Sequence, residues 1–221
     1  MHLDPKDAIS HNNLGIVYQF LGKYEESAAS FRQATRLDPK DAYPHNNLGT
    51  VYRFLGKYEE AMVAFRKAMQ LDLKLATPHY NLARIYIHQR TLDDARQELS
   101  ESIRLAPENT FAPMVALGII DFHANLAGWD QHFRGAIEQW DKAWRMRKQT
   151  PWDLLADKAK ALVCLGNKNK AVQTLQAAIA QMLPGDVIAF DDYELLQTAP
   201  VPPDGIEEMV ALLKEAQAKR S

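Results

Sequence analysis

The sequence predicts an all-α protein, an α-solenoid of antiparallel helix pairs, and two observations support this. The chain repeats itself: residues 39–72 match residues 5–38 without gaps, and 23 of the 34 aligned positions are identical. Within each unit the apolar residues recur at helical spacing, as Leu14, Tyr18 and Leu21 do. Two short helices cannot bury such a stripe alone, whereas stacking on neighbouring pairs buries it in a continuous core.

Each unit is predicted to be a helix, a turn and a second helix. Gly22 ends the first helix, because glycine readily adopts the left-handed conformation that closes many helices. Asp38 followed by Pro39 ends the second helix, since the residue before a proline avoids the α region. Residues 73–106 continue the same register as a third unit, and Pro107 opens the next one on schedule.

Beyond the third unit the pattern loosens. Leu117 and Gly118 predict the first helix of a fourth pair, followed by a long turn from His123 to Phe133. A fifth pair is predicted from about Trp152. These two pairs depart from the regular spacing, and we interpret them as divergent copies of the same unit.

The end of the chain predicts a terminal cap for the array. Residues 190–196 indicate a short helix, and Asp204 is predicted to be the N-cap of a final helix that continues to about Lys219. A helical array needs a terminal element with a polar outer face, and these helices are suited to supply it.

The sequence therefore divides into four segments. They are residues 1–7, the end of a truncated preceding repeat; 8–107, three regular repeats; 108–185, two divergent helix pairs; and 186–221, the C-terminal capping helices. The first assignment rests on the hexapeptide at residues 3–8, which recurs letter for letter at residues 37–42. It predicts a fragment of a longer array, with an uncapped apolar side on its first repeat; the alternative is a native start with a short, decayed lead-in.

Composition excludes several classes of function. With 47% hydrophobic residues, 24% charged residues and a net charge of −2, the chain has no basic footprint for nucleic acid or for an anionic membrane. It shows no signal-peptide pattern, and no apolar run approaches the ~20 residues that span a bilayer. We therefore expect a soluble, cytoplasmic protein that binds neither nucleic acid nor membranes.

No catalytic, cofactor or metal site is predicted. The single cysteine, Cys164, has no recognisable catalytic partner, and there is no glycine-rich phosphate loop. His11, His45 and His79 recur once per unit, but helices pack ~8–10 Å apart, too far for these rings to share an ion at ~2.0–2.1 Å. We interpret these histidines as packing residues and expect no enzymatic activity.

The repeat resembles the tetratricopeptide repeat family, which has a 34-residue period and a set of size-restricted positions. The three units carry those positions at Leu14, Gly15, Tyr18, Ser27, Phe31, Ala34 and Pro39; at Leu48, Gly49, Tyr52, Ala61, Phe65 and Ala68; and at Leu82, Ala83, Tyr86, Ala95, Leu99, Ser102 and Pro107. Leu73 replaces the closing proline of the second unit. The resemblance implies a right-handed superhelix whose concave groove, lined by the first helices, holds a protein or peptide partner.

An asparagine precedes the signature leucine in all three units, at Asn13, Asn47 and Asn81. This column is similar to the asparagine ladder of the O-linked N-acetylglucosamine transferase repeat domain, and the similarity implies recognition of a peptide backbone, since an amide both donates and accepts. Specificity would then come from Asn12, Asn46, Tyr43, Arg53, Tyr80, Arg84 and His88. The alternative is that these asparagines cap turns or bond across repeats.

One mode of binding known in this family is not expected. Its chaperone cofactors hold a C-terminal Glu-Glu-Val-Asp carboxylate with lysine, arginine and asparagine side chains. The matching positions here are Asn12, Ile16, Asn47, Thr77 and Asn81, of which only Asn47 fits. Without the cations a terminal carboxylate lacks charge-assisted hydrogen bonds.

The sequence thus favours a protein–protein interaction scaffold that binds a peptide or partner domain in its groove. Two alternatives remain. The chain is a structural array that self-associates through its uncapped N-terminal end, or it is a sensory repeat module excised from a larger multidomain protein.

Overall fold

The structure is a computed structural model that describes residues 7–144, 152–182 and 191–219. Throughout these ranges the chain is helix and turn, with no strand. The helices are α1 (Ala8–Phe20), α2 (Tyr24–Leu37), α3 (Ala42–Phe54), α4 (Tyr58–Leu71), α5 (Ala76–His88), α6 (Leu92–Leu105), α7 (Phe111–His123), α8 (Trp129–Trp144), α9 (Trp152–Cys164), α10 (Lys168–Ile179), α11 (Asp191–Gln197) and α12 (Ile206–Ala218). The predicted all-α fold, built from helix pairs as in an α-solenoid, is confirmed.

The chain forms two compact units, one that ends at Leu105 and one that begins at Ala106. The first contains α1–α6, in which each odd-numbered helix packs against the even-numbered helix that follows it. Its core lies between those layers: Phe31 packs with Leu48 and Val51, and Phe65 packs with Leu82 and Ile85. The second unit contains α7–α12, where α7 packs on α8 and α9 on α10.

The turns inside the first three pairs close in the left-handed conformation. Gly22 and Gly56 have φ values of 69° and 71°, as the sequence predicts. After Gly22, the Lys23 N–H donates to the Tyr18 carbonyl at 2.9 Å, which satisfies one of the free carbonyls at the end of α1. In the third pair Arg90 occupies the same position with φ 62°, although a side chain there is sterically disfavoured.

Close packing within each pair depends on a small residue that faces a large one. A Cβ added to Gly15, Gly49 or Gly118 would lie 2.6, 2.6 and 2.9 Å from Phe31, Phe65 and Phe133 respectively. The third repeat has Ala83 and Leu99 at the corresponding positions, and both are fully buried. In the third repeat the small residue is alanine, which has one more methyl group than glycine, and it faces leucine, which is smaller than phenylalanine.

Two predicted boundaries are wrong. The turn between α7 and α8 covers only residues 124–128, because α8 already begins at Trp129. The Trp129 ring packs edge-on against Phe122, with centroids 4.9 Å apart, and this contact adds an apolar turn to the helix. At the other end of the unit the N-cap of α12 is Gly205, with φ 94°, and Asp204 instead lies 3.4 Å from Lys168 Nζ.

None of the described helices is both long enough and apolar enough to cross a membrane.

Candidate functional site

The first helices of the second and third repeats, α3 and α5, each have a buried side and a partly exposed side, whereas Gly15 is the buried residue of α1. Leu48, Val51, Leu82 and Ile85 form the buried side of α3 and α5, and none is more than 7% exposed. The opposite side carries polar and aromatic residues, which we call the first-helix face. Its members are Asn12, Asn13, Tyr43, Asn46, Asn47, Thr50, Arg53, Tyr80, Asn81, Arg84 and His88.

A network of side-chain amides connects these helices. Asn47 Nδ2 of α3 donates to Asn12 Oδ1 of α1 at 3.0 Å. Asn81 Nδ2 of α5 donates to Asn46 Oδ1 of α3 at 3.2 Å, and Asn46 Nδ2 is 3.4 Å from Asn47 Oδ1. The amides thus bond across both repeat boundaries, which is the alternative that the sequence left open for this column.

The three asparagines of the column differ in their surroundings. Asn13 is exposed, Asn47 is partly buried and Asn81 is buried. Asn81 Nδ2 lies 3.2 Å from both Asn46 Oδ1 and Thr50 Oγ1, so these two acceptors account for both of its N–H groups. Asn47 contributes one donor and one acceptor bond to the network and retains one N–H for a ligand.

Thr50 is a member of this network that sequence analysis did not identify. It follows Asn46 by four residues, so the two side chains share a helix face. Its hydroxyl also donates to the Asn46 carbonyl at 3.1 Å, which fixes its orientation toward Asn81. The signal in the sequence is the i, i+4 spacing from an asparagine.

Aromatic and cationic side chains lie beside the amides. Tyr43 is 59% exposed, and it precedes Asn47 by four residues on the same helix face. Arg84 Nη1 donates to Tyr80 Oη at 3.2 Å. Arg53 Cζ lies 4.5 Å from the centroid of the Phe54 ring, close enough for a cation–π interaction.

His88 lies at the C-terminal end of α5, where its ring packs on Tyr58 of α4 with centroids 4.5 Å apart. It follows Arg84 by four residues and is exposed. The predicted site residues thus follow a continuous line along α3 and α5 from Tyr43 and Tyr80 to Arg53 and His88, and α1 joins this line through Asn12.

The repeated histidines lie in three different environments. His79 Nδ1 is 2.7 Å from Glu98 Oε2 of α6, which links the two helices of the third repeat. Burial lowers the pKa of His45. Within the part of the chain that the structure describes, no group of three or more His, Cys, Asp or Glu side chains is placed to hold a metal ion. Burial also raises the pKa of the Cys164 thiol, which keeps it protonated and unreactive.

The second unit contains a buried ion cluster that the sequence did not predict. Lys160 Nζ of α9 lies 2.7 Å from Asp157 Oδ1 and 2.7 Å from Asp192 Oδ2 of α11. The three residues are 4%, 8% and 3% exposed. Lys160 Nζ also lies 4.9 Å from the centroid of the Tyr193 ring. The cluster connects the short helix α11 to α9.

Three family models match consecutive parts of the chain. One described as TPR repeat matches residues 20–53, and two described as tetratricopeptide repeat match residues 42–74 and 76–109. The chain is a tetratricopeptide repeat protein. Such repeats form scaffolds for protein–protein interaction. No curated protein sequence matches the chain.

Solved structures with the same fold include other tetratricopeptide repeat proteins. The chain is 20% identical to PilF of Pseudomonas aeruginosa, with a TM-score of 0.59 and coverage of 94% of this chain and 90% of that one. For MamA the identity is 21% and the TM-score is 0.58, with coverage of 64% of this chain and 83% of that one. YrrB is described as a TPR protein with an unusual peptide-binding site. Its sequence identity to this chain is 20% and its TM-score is 0.52, with coverage of 79% of this chain and 86% of that one. At these identities the likeness shows the fold alone.

Proposed function

We propose that this tetratricopeptide repeat protein binds an extended peptide segment of a partner protein on its first-helix face, and that it is not an enzyme. The observation that supports this most directly is the arrangement of that face: the first helices of three consecutive repeats hold amide, hydroxyl and aromatic groups in a fixed register through the Asn12–Asn47 and Asn46–Asn81 bonds. A pre-organised surface of this kind loses little entropy when it binds.

The amide network assigns different tasks to the residues of the face. Asn46 and Asn81 are buried and hold neighbouring repeats together, whereas Asn13 is exposed and Asn47, which also bonds to Asn12, is only partly buried and is accessible to a peptide backbone. Tyr43 and Tyr80 supply rigid apolar area together with a hydroxyl group, a combination that is enriched where proteins contact one another. YrrB, which shares the fold, is described as having a peptide-binding site, and this is consistent with the proposal.

Selection from a random peptide library displayed on phage, with the full chain immobilised, tests the proposal. We expect enriched peptides whose affinity falls about tenfold in each of the variants Tyr43→Ala and Tyr80→Ala, because buried aromatic contacts contribute ~1–2 kcal/mol to such interfaces. Fluorescence anisotropy with a labelled selected peptide measures the dissociation constant.

Matched controls lie on the second helices. Arg32→Ala of α2 and Val63→Ala of α4 change exposed residues outside the first-helix face and should leave the affinity unchanged. Recovery of no peptide, or an equal loss of affinity in the control variants, would contradict peptide binding at this face.

A second candidate function is self-association, and the exposure of α1 favours it. Val17 is 51% exposed, whereas Val51 and Ile85, which occupy the same position in the next two repeats, are fully buried. Phe20 and Leu21 are 72% and 60% exposed beside it. We propose that this apolar side of α1 packs against a second copy of the chain.

Size-exclusion chromatography with light scattering over a range of concentrations tests the second candidate. We expect a dimer that dissociates on dilution, and we expect Val17→Lys to yield a monomer because it places a charge in the apolar contact. Val63→Lys, at a valine of α4 that is 66% exposed, is the control and should leave the dimer intact. A wild-type protein that stays monomeric at high concentration would exclude this candidate.

A further inference from the structure

We infer that the second unit has a binding site of its own, for a short helical segment that carries a carboxylate followed directly by an aromatic residue, and that α11 occupies this site as an intramolecular ligand. The site lies on the side of α7 and α9 that carries Ala116, Ile119, Asp157 and Lys160, which we call the second-unit face. The inference goes beyond the proposed function, because it concerns the other unit and a helical ligand.

The turn after each first helix aligns the two units with each other. In the second repeat Asn47 and Thr50 lie nine and six residues before Gly56, whose φ is 71°. Gly166 closes the turn after α9 in the same way, with φ 79°. After each of these glycines the next N–H donates to the carbonyl five residues back, at 2.9 Å in both turns. Positions counted back from Gly166 are therefore equivalent to positions counted back from Gly56.

Two buried charged residues of α9 occupy the positions of the amide network. Asp157 lies nine residues before Gly166 and is the counterpart of Asn47, and Lys160 lies six residues before it and is the counterpart of Thr50. Asn47 and Thr50 are partly exposed, whereas Asp157 and Lys160 are buried. The side of the first helix that is partly open to solvent in the second repeat is thus covered in α9.

The short helix α11 covers this side. Asp192 Oδ2 accepts a hydrogen bond from Lys160 Nζ at 2.7 Å, and the ring centroid of Tyr193 lies 4.9 Å from the same ammonium group. Helix α11 also packs on α7. The residues nine and six before the positive-φ turn residue of α7 are Ala116 and Ile119, which are 3% and 1% exposed. Helix α11 therefore contacts the first helices of two consecutive pairs.

The contacts of α11 indicate which ligand the second-unit face recognises. The Lys160 ammonium donates to two carboxylates, of which Asp157 belongs to α9 itself and Asp192 belongs to the covering helix. A carboxylate from the ligand thus supplies a charge-assisted hydrogen bond to a cation that is buried in the complex. The aromatic residue that follows adds a cation–π interaction. Leu195 and Leu196 are fully buried and supply the apolar contacts of the same helix.

Helix α11 has the properties of an exchangeable ligand. It contains seven residues, whereas an isolated helix shorter than ~12–15 residues is marginal in water, so it depends on the surface that it covers. Its link to α9 is an ionic cluster, and a buried cluster contributes little net stability once desolvation is counted. A partner protein that presents a helix with the same carboxylate–aromatic pair should therefore compete with α11 for the face.

Binding of the detached segment to the full chain tests the inference. The probe is a fluorescein-labelled, C-terminally amidated peptide of residues 190–199. Wild-type protein should bind it weakly, because the attached helix competes at an effective concentration on the order of millimolar. We expect Asp192→Ala/Tyr193→Ala, which weakens the attached helix, to bind the probe at least tenfold more tightly. Fluorescence anisotropy measures the dissociation constant.

The variant Asp192→Asn keeps the test decisive if the double variant does not fold. Asparagine preserves the shape of the side chain and removes its charge, so this variant should bind the probe several-fold more tightly than the wild type. Far-UV circular dichroism of each variant shows whether its helices remain folded.

The matched control is Glu194, an exposed residue of the same helix. Glu194→Gln in the chain should leave the affinity for the probe unchanged. A probe that carries Glu194→Gln should bind as tightly as the native probe, whereas a probe that carries Asp192→Asn should lose about tenfold in affinity.

Three results would overturn the inference: equal affinity of the probe for the wild type and the folded variants, no binding to any folded variant, or equal losses for the two altered probes. None of these results affects the proposed function, because peptide selection on the first-helix face concerns residues of the first unit.

Discussion

Replacement of Lys160 by alanine is expected to cost the second unit about 3–5 kcal/mol of unfolding free energy. The lysine is 4% exposed and contacts two carboxylates, each at 2.7 Å. Removal of one member of a buried ionic cluster leaves the other charges desolvated without their partner, and this costs more than the net contribution of the cluster itself. The effect should exceed that of most single substitutions in this protein.

Urea denaturation followed by tryptophan fluorescence measures this loss. All four tryptophans occur after residue 105, within the second unit, so the signal reports on that unit. The matched control is Lys168→Ala: the Lys168 side chain is 40% exposed and pairs with Asp204, and we expect a loss of at most about 1 kcal/mol there. Equal losses in the two variants would show that the buried cluster has no special role.

A triple substitution separates the role of charge from the role of packing. The cost of Lys160→Ala is expected to arise because two buried carboxylates lose their cationic partner. In that case Lys160→Met combined with Asp157→Leu and Asp192→Leu should recover most of the lost stability, because well-packed apolar residues often replace a buried ionic cluster without loss. A triple variant less stable than Lys160→Ala would contradict this explanation.

The second large effect concerns the glycine–phenylalanine contact within each pair. Gly49→Ala is expected to destabilise the first unit by about 1–2 kcal/mol, although alanine favours a helix over glycine by ~1 kcal/mol. The added Cβ would lie 2.6 Å from Phe65 Cε1, and the ring is fully buried and enclosed by Leu82 and Ile85. The overlap therefore has to be relieved by displacing either the ring or the helix.

Phe65→Leu should relieve this overlap, because the third repeat already combines alanine and leucine at Ala83 and Leu99. We expect the double variant to be more stable than the sum of the single effects by about 1 kcal/mol or more, measured by urea denaturation with far-UV circular dichroism. In the reciprocal experiment Leu99→Phe should destabilise the third repeat and Ala83→Gly should rescue it. Additive effects in both repeats would contradict direct steric coupling.

The repeat architecture was predictable because it depends on local signals. The 34-residue period, the small residues opposite large ones and the glycines at Gly22 and Gly56 are each visible in the sequence, and the helices begin and end near the predicted residues. Two features of the structure depart from these local signals. Arg90 adopts a positive φ in place of glycine, and Trp129 extends α8 into the predicted turn.

The candidate site was predictable only in part. The sequence pointed to most residues of the first-helix face from their positions in the repeat but not to Thr50, and the structure adds which of them contact one another. The bonds from Asn47 to Asn12 and from Asn81 to Asn46 depend on the offset between successive helices, which no single repeat encodes. The same holds for Lys160 and Asp192, which lie 32 residues apart in the chain.

Mapping of backbone amide chemical shifts shows whether the first-helix face is the surface that contacts the partner. A selected peptide is added to the 15N-labelled full chain, and the amide shifts are compared between the two layers of the first unit. We expect the largest changes in α1, α3 and α5, around Asn13, Asn47 and Arg84. Changes confined to α2, α4 and α6, or to the second unit, would contradict it.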